Sequence, residues 1–151
     1  MADLRKEGTL MSANWVQDQK FVAVTRPASV AAGAVSTTQV DTLGYDVIEY
    51  WIYMGTASGL DMSVCQVTHS DSDGSNHSNV SGASIADQTT ASAKTFMVRV
   101  HKGGAGKRYF DLTLTTGSAT AVLAVFALLK KAREHPPSST GADAETTATA
   151  S

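Results

Sequence analysis

The ten-residue run from Tyr45 to Met54 (YDVIEYWIYM) is the feature that most constrains what this chain can fold into. It is rich in aromatic and β-branched residues, which favour extended strands. A strand with one covered face alternates apolar and polar side chains, whereas both faces of this run are largely apolar or aromatic. We therefore expect a strand that is covered on both faces, with another subunit as the second cover.

Further runs along the chain alternate apolar and polar residues and are separated by turns that contain glycine or serine. This period of two is the pattern of a strand with one face against a core. The turns recur at a spacing typical of β-sandwiches. The sequence therefore predicts an all-β protein, an antiparallel β-sandwich, with strands that include residues 34–42, 45–54, 60–68, 94–102, 108–116 and 120–129.

The same alternation predicts which side chains form the core, because the more apolar face of each strand is expected to be buried. Residues 120–129 (TAVLAVFALL) fit either a helix or a strand, and the rhythm of the preceding turns favours the strand. The predicted core residues are Ile48, Ile52, Val64, Phe96, Val98, Leu112 and Leu114.

Three segments are expected to interrupt the regular strands. Residues 21–25 (FVAVT) form a short apolar piece that Arg26-Pro27 should break, because proline lacks the N–H that a sheet ladder needs. Residues 69–92 are rich in Ser, Asp, Asn, Gly and Thr and are predicted to form a surface loop with room for one short strand. The glycine-rich residues 103–107 (GGAGK) are typical of a hairpin connection.

The two ends of the chain differ in composition from its middle. Residues 1–20 are polar and mixed in charge and are predicted to form an N-terminal arm. Residues 134–151 are of low complexity, hold two of the three prolines, and are predicted to form a C-terminal tail that cannot build a core by itself. A single β-sandwich domain, residues 21–133, is predicted between these arms.

The net charge and the length of the apolar runs argue against nucleic acid and membranes as partners of the chain. The net charge is −2, and the small basic cluster Lys130, Lys131 and Arg133 is interpreted as a solvated end of an element, so no nucleic acid partner is expected. The apolar run at residues 119–129 is shorter than the roughly 20 residues that span a bilayer, and residues 1–15 show no apolar signal-peptide region. We expect no membrane association and predict assembly in a cytoplasm.

Two motifs resemble ligand-binding loops but lack their defining residues. In residues 103–107 the first glycine position of a phosphate-binding loop is His101, and Arg108 stands where Ser or Thr is required. The stretch Asp71–Gly74 (DSDG) begins like a calcium-binding loop, but its glycine comes too early and Gly82 replaces the chelating glutamate. A hairpin and an Asx turn are the favoured interpretations.

The closest approach to a metal-ligand set is His69, Asp71, Asp73 and His77, whose loose spacing favours solvated loop residues instead. Cys65 is the single cysteine, so no intrachain disulfide can form, and it is predicted to be a buried apolar residue. The aromatic residues are expected to be core or interface anchors. No catalytic, cofactor-binding or metal-binding residue is predicted, and the protein is expected not to be an enzyme.

Four stretches of the chain carry a resemblance to a known group of proteins. They are Asn14-Trp15, Gln39–Asp46 (QVDTLGYD), Ser70–Gly74 (SDSDG) and Lys107–Tyr109 (KRY). Together they resemble small virion-associated structural proteins of tailed bacteriophages and prophages. The resemblance implies a β-sandwich, often jelly-roll-like, and brings no catalytic residue with it.

Within this group of virion proteins, the leading hypothesis is a capsid decoration or cement protein that binds and stabilises the head shell. Its partners would be the major capsid protein and neighbouring copies of itself, with a homotrimer favoured, and its place would be the virion. A head-completion or tail structural subunit with the same sandwich is the first alternative. A glycan-binding jelly-roll module is the second.

Overall fold

Ten β-strands make up the regular structure of the residues that the computed structural model describes, which are 18–102, 107–117, 119–131 and 144–149. Within these segments no helix has the length and apolar character needed to cross a bilayer. The strands are β1 (Gln19–Val30), β2 (Gly33–Val35), β3 (Val40–Asp41), β4 (Val47–Met54), β5 (Met62–Ser70), β6 (Ser78–Ile85), β7 (Thr95–His101), β8 (Tyr109–Thr116), β9 (Ala121–Lys130) and β10 (Ala144–Thr149).

The strands form two sheets that pack face to face. The first sheet has the order β1-β9-β4-β7-β10, and the second has the order β2-β8-β5-β6, with β3 also paired to β8. All pairs are antiparallel except β10 with β7, which is parallel. The all-β antiparallel sandwich is therefore confirmed, and jelly-roll-like connections pass repeatedly from one sheet to the other.

The core lies between the two sheets and contains the apolar faces that alternation predicts. Six of the seven predicted core residues are at most 1% exposed. Tyr50 of β4, which is fully buried, lies in the same cluster. Residues 121–129 of the ambiguous run lie in β9 (Ala121–Lys130), so the preference for a strand is confirmed. The six predicted core residues that are buried are Ile48, Ile52, Phe96, Val98, Leu112 and Leu114.

The seventh prediction, Val64, is wrong, because this side chain is 40% exposed. A shift in the pairing of β5 with β8 lies between Met62 and Val64. An inserted residue reverses the side of the sheet on which every later side chain lies. Cys65 and Val67 consequently join Met62 in the core, and Val64 points outward.

The prediction that Arg26-Pro27 breaks the first apolar piece is also wrong, because β1 continues from Gln19 to Val30. Its pairing with β9 shifts twice, between Ala23 and Thr25 and between Thr25 and Ala28. β1 is an edge strand, and proline is tolerated at an edge or a bulge because its missing N–H faces away from the ladder.

Residues 69–92 hold more structure than the predicted surface loop, since β6 occupies eight of them. The pairing of β6 with β5 jumps between Gln66 and Thr68. The Gln66 side-chain amide fills this irregularity by donating hydrogen bonds to the carbonyl oxygens of Val80 and Ala83, at 3.0 and 3.2 Å. Val80 and Ala83 reach the core although their surroundings in sequence are polar.

Two further expectations change with the topology. Residues 103–107 were expected to close a hairpin, but β7 and β8 belong to different sheets and do not pair, so this connection joins the two sheets. Glycine-rich composition indicates a tight connection without specifying which strands it joins. Residues 1–17 and 132–143, which hold most of the predicted arms, lie outside the described residues, whereas Ala144–Thr149 of the predicted tail form β10.

Candidate functional site

The outer face of the first sheet, directed away from the second sheet, is the candidate functional surface. Side chains alternate along β4, so Ile48, Tyr50 and Ile52 lie in the core while Trp51 and Tyr53 lie on the outer face. Outer faces of sandwich sheets are usually polar because they contact water. The outer face of this sheet is instead rich in aromatic and aliphatic side chains.

An aromatic patch is formed on this face by Phe21, Trp51, Tyr53, Val122 and Phe126. The rings of Phe21 and Phe126 stack with centroids 5.0 Å apart, and Tyr53 meets Phe126 edge-on at 6.0 Å. Phe21 is 64% exposed, Val122 56% and Tyr53 44%, while Trp51 and Phe126 are half-buried. Exposed apolar side chains that share one face in this way are typical of a surface that binds another protein.

A buried ion network lies beside the aromatic patch. Glu49 of β4 is 1% exposed, and its Oε1 accepts hydrogen bonds from Arg99 Nε and Lys130 Nζ, both at 2.8 Å. Burial alone would raise the pKa of Glu49, but the hydrogen bonds from Lys130 and Arg99 outweigh burial and lower it. The carboxylate therefore stays charged, and the network fixes the relative positions of β4, β7 and β9.

The outer face of the first sheet has a buried half beside the ion network and an exposed half at the aromatic patch. Toward β7, Met97 is fully buried and Val47 is 5% exposed although neither belongs to the core cluster. Toward β1 and β9, Phe21 and Val122 are exposed. The expectation that β4 is covered on both faces is thus confirmed for the half near Val47 and is wrong for Tyr53. Cover by another subunit stays a prediction.

At the end of the second sheet, Gln39 holds the loop between β5 and β6. Its Oε1 accepts a hydrogen bond from the backbone N–H of Gly74 at 3.0 Å, and its Nε2 lies 2.8 Å from His77 Nε2. The predicted Asx turn does not form. The Ser70 hydroxyl instead accepts the N–H of Ser72 and donates to the carbonyl of Ser75.

The four candidate metal ligands are not brought together as one site. His69 is 5% exposed and packs on Phe110, with ring centroids 5.7 Å apart, whereas Asp71 and Asp73 are exposed. Burial and then Lys107 lower the pKa of His69. Across the described segments, no group of three or more His, Cys, Asp or Glu side chains is arranged to hold a metal ion.

A surface ion pair joins β3 to the start of β8. Arg108 donates two hydrogen bonds to the Asp41 carboxylate, at 2.8 and 2.6 Å, and lies over the ring of Tyr109. The hydrogen bond from Arg108 lowers the pKa of Asp41 to about 2. Asp41 also accepts the N–H of Leu43, and Gly44 adopts a positive φ of 84° in the same turn.

The remaining sequence candidates fall elsewhere in the fold. Cys65 is 2% exposed in the core, as predicted, and burial raises the pKa of its thiol to about 12. His101 ends β7, and residues 103–106 of the glycine-rich motif lie outside the described residues. Sequence reasoning missed the ion network and was wrong about Lys130, whose amine pairs with Glu49. The signal that could have indicated the network is Glu49, a charged residue inside the apolar run of β4.

Comparison with known proteins supports the fold. No protein-family model matches the sequence, and no curated protein matches it significantly. PBSX exported protein XepA is 14% identical over 80% of this chain and 40% of its own, with a TM-score of 0.54.

Two other solved structures are similar at comparable identity. A chain of the T13 particle of infectious bursal disease virus is 8% identical over 78% of this chain and 32% of its own, with a TM-score of 0.51. SPBc2 prophage-derived protein YomS is 9% identical over 74% of this chain and 92% of its own, with a TM-score of 0.46. This chain therefore spans less than half of XepA and of the viral chain, and shares their sandwich fold.

Proposed function

We propose that this chain is a structural protein of a tailed-phage particle, and that it serves as a capsid decoration or cement subunit on the head shell. The observation that carries the proposal is the aromatic patch. The core of the sandwich is filled by other residues, yet Phe21, Tyr53 and Val122 remain exposed on the same outer face, where the rings of Phe21 and Tyr53 both contact Phe126. Aromatic side chains on an exposed face are enriched at protein interfaces, where their large area stabilises binding.

Two observations support a place in a virus particle. The stretches Gln39–Asp46 and Lys107–Tyr109 resemble virion-associated proteins of tailed phages. The sandwich fold is also that of a chain from the infectious bursal disease virus particle and of PBSX exported protein XepA. The proposal assigns the protein a binding role without a catalytic step.

In this proposal the aromatic patch docks on the major capsid protein, and neighbouring copies associate as a homotrimer. The N-terminal arm, residues 1–17 before β1, reaches onto the shell as a second anchor. Fixing a backbone residue costs about 1–2 kcal/mol of conformational entropy, so an arm of polar residues needs a partner surface to offset its ordering. Deletion of residues 1–17 tests this anchor and should weaken binding to shells, whereas a matching C-terminal deletion would also remove β10.

Co-sedimentation with undecorated shells tests the proposal. The double variant Phe21→Ser, Val122→Ser removes two exposed members of the patch, and Val64→Ser removes an exposed apolar residue from the outer face of the second sheet as a matched control. We expect the double variant to bind shells at least about tenfold more weakly, equivalent to about 1.4 kcal/mol, and the control to bind like the wild type. Equal binding by both variants would exclude the patch as the docking surface.

The alternatives are separated by where the protein lies in the particle and what it binds. A low-resolution reconstruction should show copies spread over the shell for a decoration protein, and a single ring at the neck or tail for a connector or tail subunit. Absence of the wild-type protein from shells in the sedimentation assay would favour the connector or tail reading. Binding on a glycan array would favour the glycan-binding module.

A further inference from the structure

β10 occupies an unusual place in the first sheet. Among the described strands it hydrogen-bonds to β7 alone, in parallel, from Ala144 opposite Phe96 to Thr149 opposite His101. The preceding strand, β9, pairs with β4, which lies on the other side of β7 from β10. β9 ends at Lys130, which pairs with Val47 of β4, and Val47 in turn pairs with His101 of β7. The chain therefore leaves one end of the sheet at β9 and re-enters three strands away, at the opposite end of β7.

The connection that makes this step is long for its span. Three inter-strand spacings of about 4.8 Å and five residues of about 3.3 Å along the strand give a direct distance of about 22 Å. Residues 132–143 form a link of twelve residues, which reaches about 43 Å when extended. The link is thus long enough to place β10 on its own sheet or on the sheet of an adjacent copy.

Pairing with β10 satisfies backbone groups of β7 that would be costly to leave unpaired, whereas the β10 sequence itself contributes little to holding the strand in place. The central residues of β7, Phe96 to Val100, are all buried, and β10 satisfies the backbone groups along one edge of β7. Unpaired backbone groups beside a core are costly. The β10 sequence AETTAT, in contrast, contains only Ala, Thr and Glu, so it offers little apolar area for burial, and parallel pairing is slightly weaker per residue than antiparallel pairing.

We infer that β10 is an exchangeable strand, and that when copies of this chain are crowded together β10 of one copy completes the first sheet of the next by pairing with its β7. Exchange keeps all six Cα pairs between β10 and β7 and changes only the path of the link. Its cost is the entropy of association, which falls when neighbours are held at high local concentration. This inference concerns contacts between copies and is independent of shell binding.

Shortening the link tests the inference in the purified full-length protein. Deleting residues 133–142 leaves Lys131 and two further residues between Lys130 and Ala144, which extend to about 14 Å and cannot cover the span of about 22 Å within one copy. The matched control replaces the same ten residues with a Gly-Ser sequence of equal length. We expect light scattering to give at least twice the control's mass for the shortened variant, because β10 must then pair with another copy. A shortened variant with the control's mass at every concentration overturns the inference.

A disulfide test in the chain of natural length covers the case in which the shortened variant does not fold. His101→Cys, Thr149→Cys places two thiols at paired positions, and the native Cys65 is buried with a raised pKa and stays reduced. The two single variants are the controls. We expect disulfides within one chain at low protein concentration and a rising share between chains as concentration increases. Disulfides within one chain at every concentration, or none at all, overturn the inference.

Discussion

Phe21 of β1 stacks on Phe126 of β9 with ring centroids 5.0 Å apart and 29° between the ring planes, yet Phe21 remains 64% exposed. A ring that is packed on one face and open to solvent on the other can contact a second molecule through its open face. Its contribution to folding and its contribution to binding can therefore be separated by mutation.

The first prediction compares Phe21 with a phenylalanine of the core. Phe21→Ala should lower the free energy of unfolding by less than about 1 kcal/mol, because most of the ring is already in water. Phe96→Ala should lower it by about 3–5 kcal/mol, because it leaves a cavity beside Ile52. Urea unfolding followed by circular dichroism measures both. Similar losses for the two variants would contradict the assignment of Phe21 to the surface.

The second prediction concerns the buried carboxylate of Glu49. Glu49→Gln should destabilise the protein by about 3 kcal/mol at neutral pH, since Arg99 and Lys130 lose their charged acceptor. The folded-state pKa of Glu49 is lowered from 4.5, so its stabilisation is present above pH 4.5 and disappears as pH falls through the folded pKa. Unfolding free energies of both proteins measured from pH 7 downward should converge in acid. A constant difference would exclude the charge as its cause.

The third prediction concerns the Asp41 carboxyl group. Its pKa should be about 2 in the wild type and should rise toward 3.8 in Arg108→Ala, because the hydrogen bond from Arg108 is the largest cause of the shift. A pH titration followed by NMR of the carboxyl carbon measures it directly. Lys131→Ala, which removes a cation paired with Asp18, is the control and should leave the pKa of Asp41 unchanged.

The fourth prediction concerns the reactivity of Cys65. Burial raises the pKa of its thiol to about 12, so hardly any thiolate forms at pH 8 and reagent access requires opening of the sandwich. We expect a thiol reagent to modify the native protein far more slowly than the protein in denaturant. Rapid modification in native buffer would show that β5 opens locally without global unfolding.

Strand positions followed from the sequence wherever apolar and polar residues alternate without interruption. β7 and β8 lie where periodicity places them, with Phe96, Val98 and Leu112 in the core. Periodicity failed at irregularities, because an extra residue reverses the faces without leaving a mark in composition. Val64 is exposed for this reason.

The candidate surface was less predictable than the core. The aromatic run of β4 indicated a second covered face, but sequence gives no means of finding that Phe21 would stack on Phe126, since β1 and β9 are far apart along the chain. Charge pairing is equally non-local, and Glu49 meets Lys130 only because β4 and β9 are neighbours. β10 has no apolar pattern in its sequence, so its place at the edge of β7 could not be predicted from periodicity.

The irregular course of β1 makes this edge of the first sheet a poorer site for pairing with another strand than a regular edge would be. Along β1, Pro27 has no N–H to donate, two register shifts distort the ladder, and the Val24 carbonyl already accepts the N–H of Thr38. Such an edge is a poor template for a further strand. This side of the first sheet is thereby protected from edge-to-edge pairing with another copy of the chain.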